Sequence, residues 1–246
     1  MLNLPIRIKK PRHLGVTSIH DISLTVEDLE SLLKNYGDFI DIAKFGIGTA
    51  YVTPNLKQKI ELYKRHDVIP YFGGTLFEKF YSQGKFDEFL KFLDNNDISY
   101  IEISAGTIDM ALDSRISLIK DLPQNLNVLA EVGSKDSDYI QPPSSWIDEI
   151  NTLHNLGVEY VITEGRNSGT AGIFRPSGEL RTGLIDDIIS NCNSDKIIFE
   201  APHQNSQLYF INKLGSNVNL GNINPRDVLL LETQRQSLRS ETFNLK

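Results

Sequence analysis

The sequence predicts an α/β fold, a (β/α)8 TIM barrel occupying the chain as one domain over 1–246. Three observations lead there. Short apolar runs alternate with amphipathic helical segments eight times along 246 residues. Parallel neighbouring strands need such crossover helices, and eight strands close as a barrel in a chain of about 250 residues. Three of the runs also end in a glutamate followed closely by a small residue: Leu129-Ala130-Glu131-Val132-Gly133, Ile162-Thr163-Glu164-Gly165 and Ile198-Phe199-Glu200-Ala201. A carboxylate at such a place is costly to bury unless it binds something, so the three together suggest one polar site at one end of a parallel barrel.

The elements follow in order. His13–Asp21 is the first strand. Thr25–Tyr36 is a helix with Thr25 as N-cap and Val26, Leu29, Leu32 and Leu33 on one face. Phe39–Gly46 is the second strand, on which Asp41 and Lys44 point to opposite sides because side chains alternate. Pro54–His66 is the next helix, with proline tolerated near its start. Val68–Gly74 is the third strand, followed by a short extra helix over Thr75–Ser82 and a helix over Phe86–Asn95 with an apolar stripe of Phe86, Phe89, Leu90 and Leu93. Tyr100–Ser104, Asn127–Gly133, Tyr160–Gly165, Lys196–Pro202 and Asn217–Ile223 complete the strands. The helices between and after them are Ser114–Asp121, Ser144–Asn155, Thr182–Asn191, Asn205–Leu214 and Pro225–Leu238. An open doubly wound sheet is the second choice, weakened by the lack of a GxGxxG after the first strand.

Composition bounds the function. A net charge of −7 offers no broad basic field for phosphate neutralisation, which argues against a nucleic-acid partner. The single cysteine, Cys192, forms no disulfide within the chain and fits a reducing compartment. The opening stretch MLNLPIRIKKPRHLG lacks an apolar core of signal-peptide length, and no run reaches the length of a membrane span. A cytoplasmic protein with no membrane partner is expected.

Barrel chemistry sits at the C-terminal rim of the strands. The rim positions are Asp21, Lys44, Gly73, Gly74, Glu102, Ser104, Glu131, Glu164, Glu200, Asn219 and Asn222. Oxygen ligands converging on one spot suit a hard cation, best Mg²⁺; Glu131, Glu164 and Glu200 are its candidate ligands. The competing reading is a salt-bridge network of these acids with Lys44, Lys135 and Arg166. A lysine among carboxylates can pass a proton, which makes Lys135, with Lys44 and Glu102, the catalytic candidates. Arg166, Ser168 and Gly169 combine a guanidinium with small residues that expose backbone amides, suited to a phosphate or carboxylate. Asn219, Gly221 and Asn222 belong to the segment Gly215–Asn222 that leads into the helix after strand eight, and loops after strands seven and eight are the usual phosphate site of such barrels. Among the histidines, only His203 is placed near the rim.

The ordered set KPRHLG, KFGIGT, FGGTLFE, EISAGTI, EVGSK, EGRNSG, FEAP and NVNLGNI, closed by LETQRQSLRSET, resembles the phosphosulfolactate synthase family from Lys10 to about Thr242. The resemblance implies a TIM barrel, a Mg²⁺-dependent addition of sulfite to phosphoenolpyruvate giving 2-phospho-3-sulfolactate on the way to coenzyme M, and a homo-oligomer. It also implies an enediolate-like intermediate stabilised by the metal, a proton from Lys135, and phosphate held by Arg166 and the strand-eight loop. This chain departs from the family pattern at Ser134, Ala105 and Asn167, where a lysine, an acid and a glutamate are usual. A second reading is therefore a barrel that binds a phosphorylated molecule or a protein partner without catalysis, as a plant heat-stress-associated relative suggests.

Overall fold

The computed structural model describes residues 2–136 and 140–245. Eight parallel strands close in sequence order into a barrel: β1 Thr17–Asp21, β2 Ile42–Phe45, β3 Ile69–Phe72, β4 Tyr100–Ile103, β5 Asn127–Val132, β6 Tyr160–Thr163, β7 Ile197–Glu200 and β8 Leu220–Ile223. The helices are α1 Val26–Tyr36, α2 Thr49–Val52, α3 Leu56–Arg65, α4 Gly74–Ser82, α5 Phe86–Asn95, α6 Leu112–Lys120, α7 Pro143–Asn155, α8 Thr182–Asn191, α9 Gln204–Leu214 and α10 Val228–Arg235. Thr25 caps α1, its Oγ1 accepting from the Asp28 amide at 3.1 Å, as the sequence predicts. The short α2 is not predicted, and the expected Pro225–Leu238 helix divides into a 3₁₀ turn at Pro225–Asp227 and α10.

Two apolar clusters hold the barrel. The larger lies between strands and helices and includes Phe45, Phe72, Trp146, Val161, Phe199 and Phe210. The smaller fills the barrel interior with Val16, Ile42, Tyr71, Leu129, Tyr160, Ile162 and Ile198. Two residues further along their strands, on the same inward face, stand Lys44, Glu131, Glu164 and Glu200. The polar site thus rests on an apolar floor.

The N-terminal end of the barrel is sealed by polar side chains. Arg12 pairs with Asp41 at 2.9 Å, and Asp41 accepts from the Thr17 amide at 2.9 Å. Arg235, fully buried, donates to the carbonyls of Ser216 and Val218 at 2.7 Å and of Val16 at 3.2 Å. Burial, with Arg7 adding to it, pushes the Arg235 pKa down to about 9. Removing this donor takes three hydrogen bonds from the interior, of which the Ser216 and Val16 carbonyls keep others, from Arg7 at 3.2 Å and the Leu220 amide at 2.9 Å. Arg235→Ala should cost about 3 kcal/mol or more, which for a chain this size lowers Tm by roughly 6–12 °C. Calorimetry checks this, and an unchanged Tm would show that the seal contributes nothing.

Two rim expectations are corrected here. Asn219 belongs to the sealed end: its Oδ1 accepts from the Val16 amide at 3.0 Å and its Nδ2 donates to the Asp195 carbonyl at 2.9 Å. It precedes β8 rather than following it, so it holds no phosphate at the mouth. Asp21 turns outward under α3, where it meets Lys59 at 2.7 Å and accepts from the Tyr63 hydroxyl at 2.7 Å.

Candidate active site

At the C-terminal end a cleft of about 570 Å³ is lined by His20, Lys44, Glu102, Glu131, Lys135, Glu164, Arg166, Asn167, Ser168, Glu200 and Asn222, among others. Lys44, from β2, is the central cation. Its Nζ lies 3.1 Å from Glu200, 3.2 Å from Glu102 and 3.5 Å from Glu131. Lys135, just past β5, lies 3.3 Å from Glu131, 3.4 Å from Glu78 and 3.8 Å from Glu164. Glu131 therefore bridges the two lysines.

Backbone amides of the loops hold the acids from behind. The Gly74 amide donates to Glu102 at 2.5 Å, the Gly165 amide to Glu200 at 2.8 Å, and the Arg166 amide to Glu164 at 2.6 Å. These bonds are local consequences of glycine-containing turns directly after β3 and β6, where the chain passes close to the strand ends.

Five buried carboxylates face two ammonium groups, and their ionisation follows from that imbalance. Burial opposes the charge of Lys44, but Glu102 and Glu200 outweigh it and hold its pKa well above the ordinary value. Lys135 is likewise held up against burial by Glu131, Glu164 and Glu78. Burial lifts Glu102 to about 7 despite Lys44. Burial and the carboxylates of Glu131 and Glu200 push Glu164 well up. Glu131 feels the same burial, but Lys135 and Lys44 overcome it and bring it down to about 2. The lysines thus favour the charged form of Glu131, while burial and its acidic neighbours favour the neutral form of Glu164.

Lys44, Glu102, Glu131, Lys135, Glu164 and Glu200 come together as the sequence predicts, and so does the competing salt-bridge network for both lysines. Arg166 stands apart from it. Its backbone is left-handed, with φ of 55°, and its exposed guanidinium lines the cleft with no ion pair among the described residues. Ser168 also lines the cleft, hydrogen-bonded to Thr170 at 2.7 Å. Gly169 is buried beneath the His203 ring rather than facing the cleft. Gly221 faces the barrel interior, where a side chain would meet Ile198. Asn222 reaches the cleft through an irregularity: the β1–β8 ladder shifts register between Thr17 and Ile19, and Asn222 adopts φ of 53°. Its buried Oδ1 accepts no hydrogen bond.

Two ionisable residues of the site were not among those expected: Glu78, behind Lys135, and His20, which lines the cleft. Glu78 lies on α4, not on a strand end, so a search of strand termini passes over it. The available signal was an acid embedded in the otherwise largely apolar run Leu76-Phe77-Glu78-Lys79-Phe80-Tyr81. His20 is the other, and it corrects the expectation that His203 alone approaches the rim. It is buried, its ring lies where a Gly46 side chain would stand, and its Nδ1 is 3.2 Å from Asn167 Oδ1. Burial and the Lys44 charge push His20 down to about 4, so it is neutral at pH 7. Between that value and the ordinary 6.5 the unfolded chain binds a proton that the folded chain refuses. His20 therefore favours folding above about 6.5 and loses that contribution as pH falls toward 4. Asn167→Asp places a carboxylate on Nδ1 and should raise the imidazole midpoint by roughly one pH unit or more. An NMR titration of the ring reads this directly, and an unmoved midpoint would mean that the contact has no electrostatic weight.

A family model described as (2R)-phospho-3-sulfolactate synthase matches residues 5–241. The chain belongs to the phosphosulfolactate synthase family. It is 43% identical over 247 residues to the phosphosulfolactate synthase of Bacillus subtilis (strain 168), covering 99% of this chain and 98% of that one. It is 42% identical over 235 residues to the phosphosulfolactate synthase of Methanocaldococcus jannaschii, covering 93% and 94%. Among solved structures, 3-hexulose-6-phosphate synthase from Salmonella typhimurium aligns with a TM-score of 0.54 over 89% of this chain and 99% of that one. At 12% identity that likeness concerns the barrel alone. The protein is an enzyme of the phosphosulfolactate synthase kind, with small-molecule substrates. No helix among the described residues is long and apolar enough to cross a membrane.

Proposed function

We propose that the cleft adds sulfite to phosphoenolpyruvate, giving 2-phospho-3-sulfolactate. The sulfur lone pair forms a bond to the methylene carbon, the double-bond electrons move toward the carboxylate, and a proton is delivered to the carbon that bears the phosphate. The observation that carries this reading is Lys135, an ammonium group held at the mouth by Glu78, Glu131 and Glu164 in a chain of this family. Lys135 supplies the proton, and the neighbouring Glu131 and Glu164 carboxyl groups, 3.3 and 3.8 Å from its Nζ, pass one back to it. Lys44 keeps Glu102, Glu131 and Glu200 in place through ion pairs of 3.1–3.5 Å. The unpaired Arg166 guanidinium, with Ser168 and Asn222, suits the phosphate.

Magnesium belongs to the same proposal. No three or more His, Cys, Asp or Glu side chains among the described residues are grouped as a metal centre, but the donor chemistry fits a hard cation. Buried acids outnumber ammonium groups here, and Glu102 Oε2, Glu131 Oε1 and Glu164 Oε2 face lysine Nζ atoms at 3.2, 3.3 and 3.8 Å without a well-directed hydrogen bond. Glu131, Glu164 and Glu200, with Glu102 beside them, would hold the ion. When bound, it would stabilise the negative charge that builds on the substrate carboxylate.

The test is direct: purified protein with phosphoenolpyruvate, sulfite and Mg²⁺ should form the sulfonated phosphoester, detected by ³¹P NMR and mass spectrometry. Failure to consume phosphoenolpyruvate under any combination of these components would defeat the proposal.

A further inference from the structure

We infer that Glu78, together with Gly106, positions Lys135, and that without this cradle the lysine is present but misplaced. The inference rests on Lys135 acting as described above. Lys135 lies in the segment following β5, on a stretch with no regular structure of its own, so something else must fix its long side chain.

Three contacts do so. The Lys135 amide donates to the Gly106 carbonyl at 3.1 Å. The side-chain stem then lies across Gly106: a Cβ at that glycine would stand 3.0 Å from Lys135 Cγ, 3.2 Å from Cδ and 3.3 Å from Cε. At the far end the Nζ meets Glu78 Oε1 at 3.4 Å. That same oxygen accepts from the Ser104 hydroxyl at 2.6 Å and from the Gly106 amide at 2.9 Å. One buried carboxylate on α4, after β3, thereby ties the segment after β4 to the lysine after β5.

Glu131 and Glu164 also approach Lys135, but from inside the barrel. They cannot by themselves set the direction of the stem. Glu78 approaches from the helix side, and its other oxygen, Oε2, is buried with no hydrogen bond. No fold-stabilising contact is visible for that oxygen, whereas Oε1 serves the lysine and its supporting loop. Holding a reacting group within a fraction of an ångström can be worth a hundredfold in rate, and such precision comes from supporting side chains.

Glu78→Gln keeps an oxygen for Ser104 and Gly106 and removes only the charge facing Lys135. It should lower kcat about 10- to 100-fold with KM for phosphoenolpyruvate within about twofold. In a Lys135→Ala background the same change should have no further effect, because its only route is through the lysine. Gly106→Ala leaves every charge in place and displaces the stem; it should lower kcat in the same way, and it carries the test if Glu78→Gln fails to fold. A readout independent of turnover is amine labelling of intact protein, read by mass spectrometry. Lys135 should react several-fold faster in Glu78→Gln than in the wild type. Unchanged kcat and labelling, or an equal loss of kcat with and without Lys135, would overturn the inference. Wild-type protein inactive on phosphoenolpyruvate and sulfite, but with faster Lys135 labelling in Glu78→Gln, would sink the proposed reaction and support the positioning role.

Discussion

Lys44→Met should lower stability by about 3–5 kcal/mol, the cost of leaving buried charge without its partner. Tm should fall by roughly 6–20 °C. The lysine side chain is only 9% exposed, and the three glutamates it meets are 1–2% exposed, so water cannot replace it. The loss should depend on pH in a definite direction. Glu102 already has its folded pKa raised from 4.5 to about 7, and removing the attraction of Lys44 raises it further. Such an acid holds its proton better when folded, so its penalty is absent below about 4.5 and grows as pH rises through the folded value. The Met variant should therefore lose more stability at pH 8 than at pH 6, relative to wild type. Glu102→Gln in the Met background should recover part of the loss by removing one of the repelling charges. Urea melts at the two pH values decide the matter; a Met variant as stable as wild type at pH 8 would mean that the carboxylates relax into solvent.

Lys135→Ala should act on catalysis instead. Loss of a positioned acid typically costs 10²–10⁴-fold, and kcat should fall by about that much while KM for phosphoenolpyruvate changes little, because Arg166 remains. Its side chain is 21% exposed against 9% for Lys44. Water can reach the carboxylates it leaves, and the stability loss should be smaller than for Lys44→Met. Lys135→Arg should not rescue turnover, since a guanidinium keeps the charge but does not give up a proton near neutral pH. Steady-state kinetics on folded variants would read both effects, and a Lys135→Ala enzyme with wild-type kcat would remove this residue from the reaction.

The sequence by itself determined the barrel, the order of its elements and the central acids. Strand side chains alternate with a period of two, so Leu129 with Glu131 and Ile162 with Glu164 must share a face, whatever the rest of the chain does. The apolar member of each pair marks that face as the interior, and the acid beyond it must then stand at the rim. These are local consequences of covalent geometry and solvation, legible in a dozen residues.

What only the tertiary structure decided is where the ladders begin and what crosses between them. Asn219 and Asn222 are three residues apart, yet the four-residue β8 lies between the sealed end and the mouth, and its shifted register against β1 brings Asn222 to the cleft. His20 stands in the cleft because Gly46, on a neighbouring strand's loop, leaves room for its ring. Glu78 reaches Lys135 from a helix 57 residues earlier in the chain. Closing eight strands into a ring sets each of these distances at once, and no local pattern contains the closure. That is why the acids could be read directly, while the groups that position them had to be seen folded.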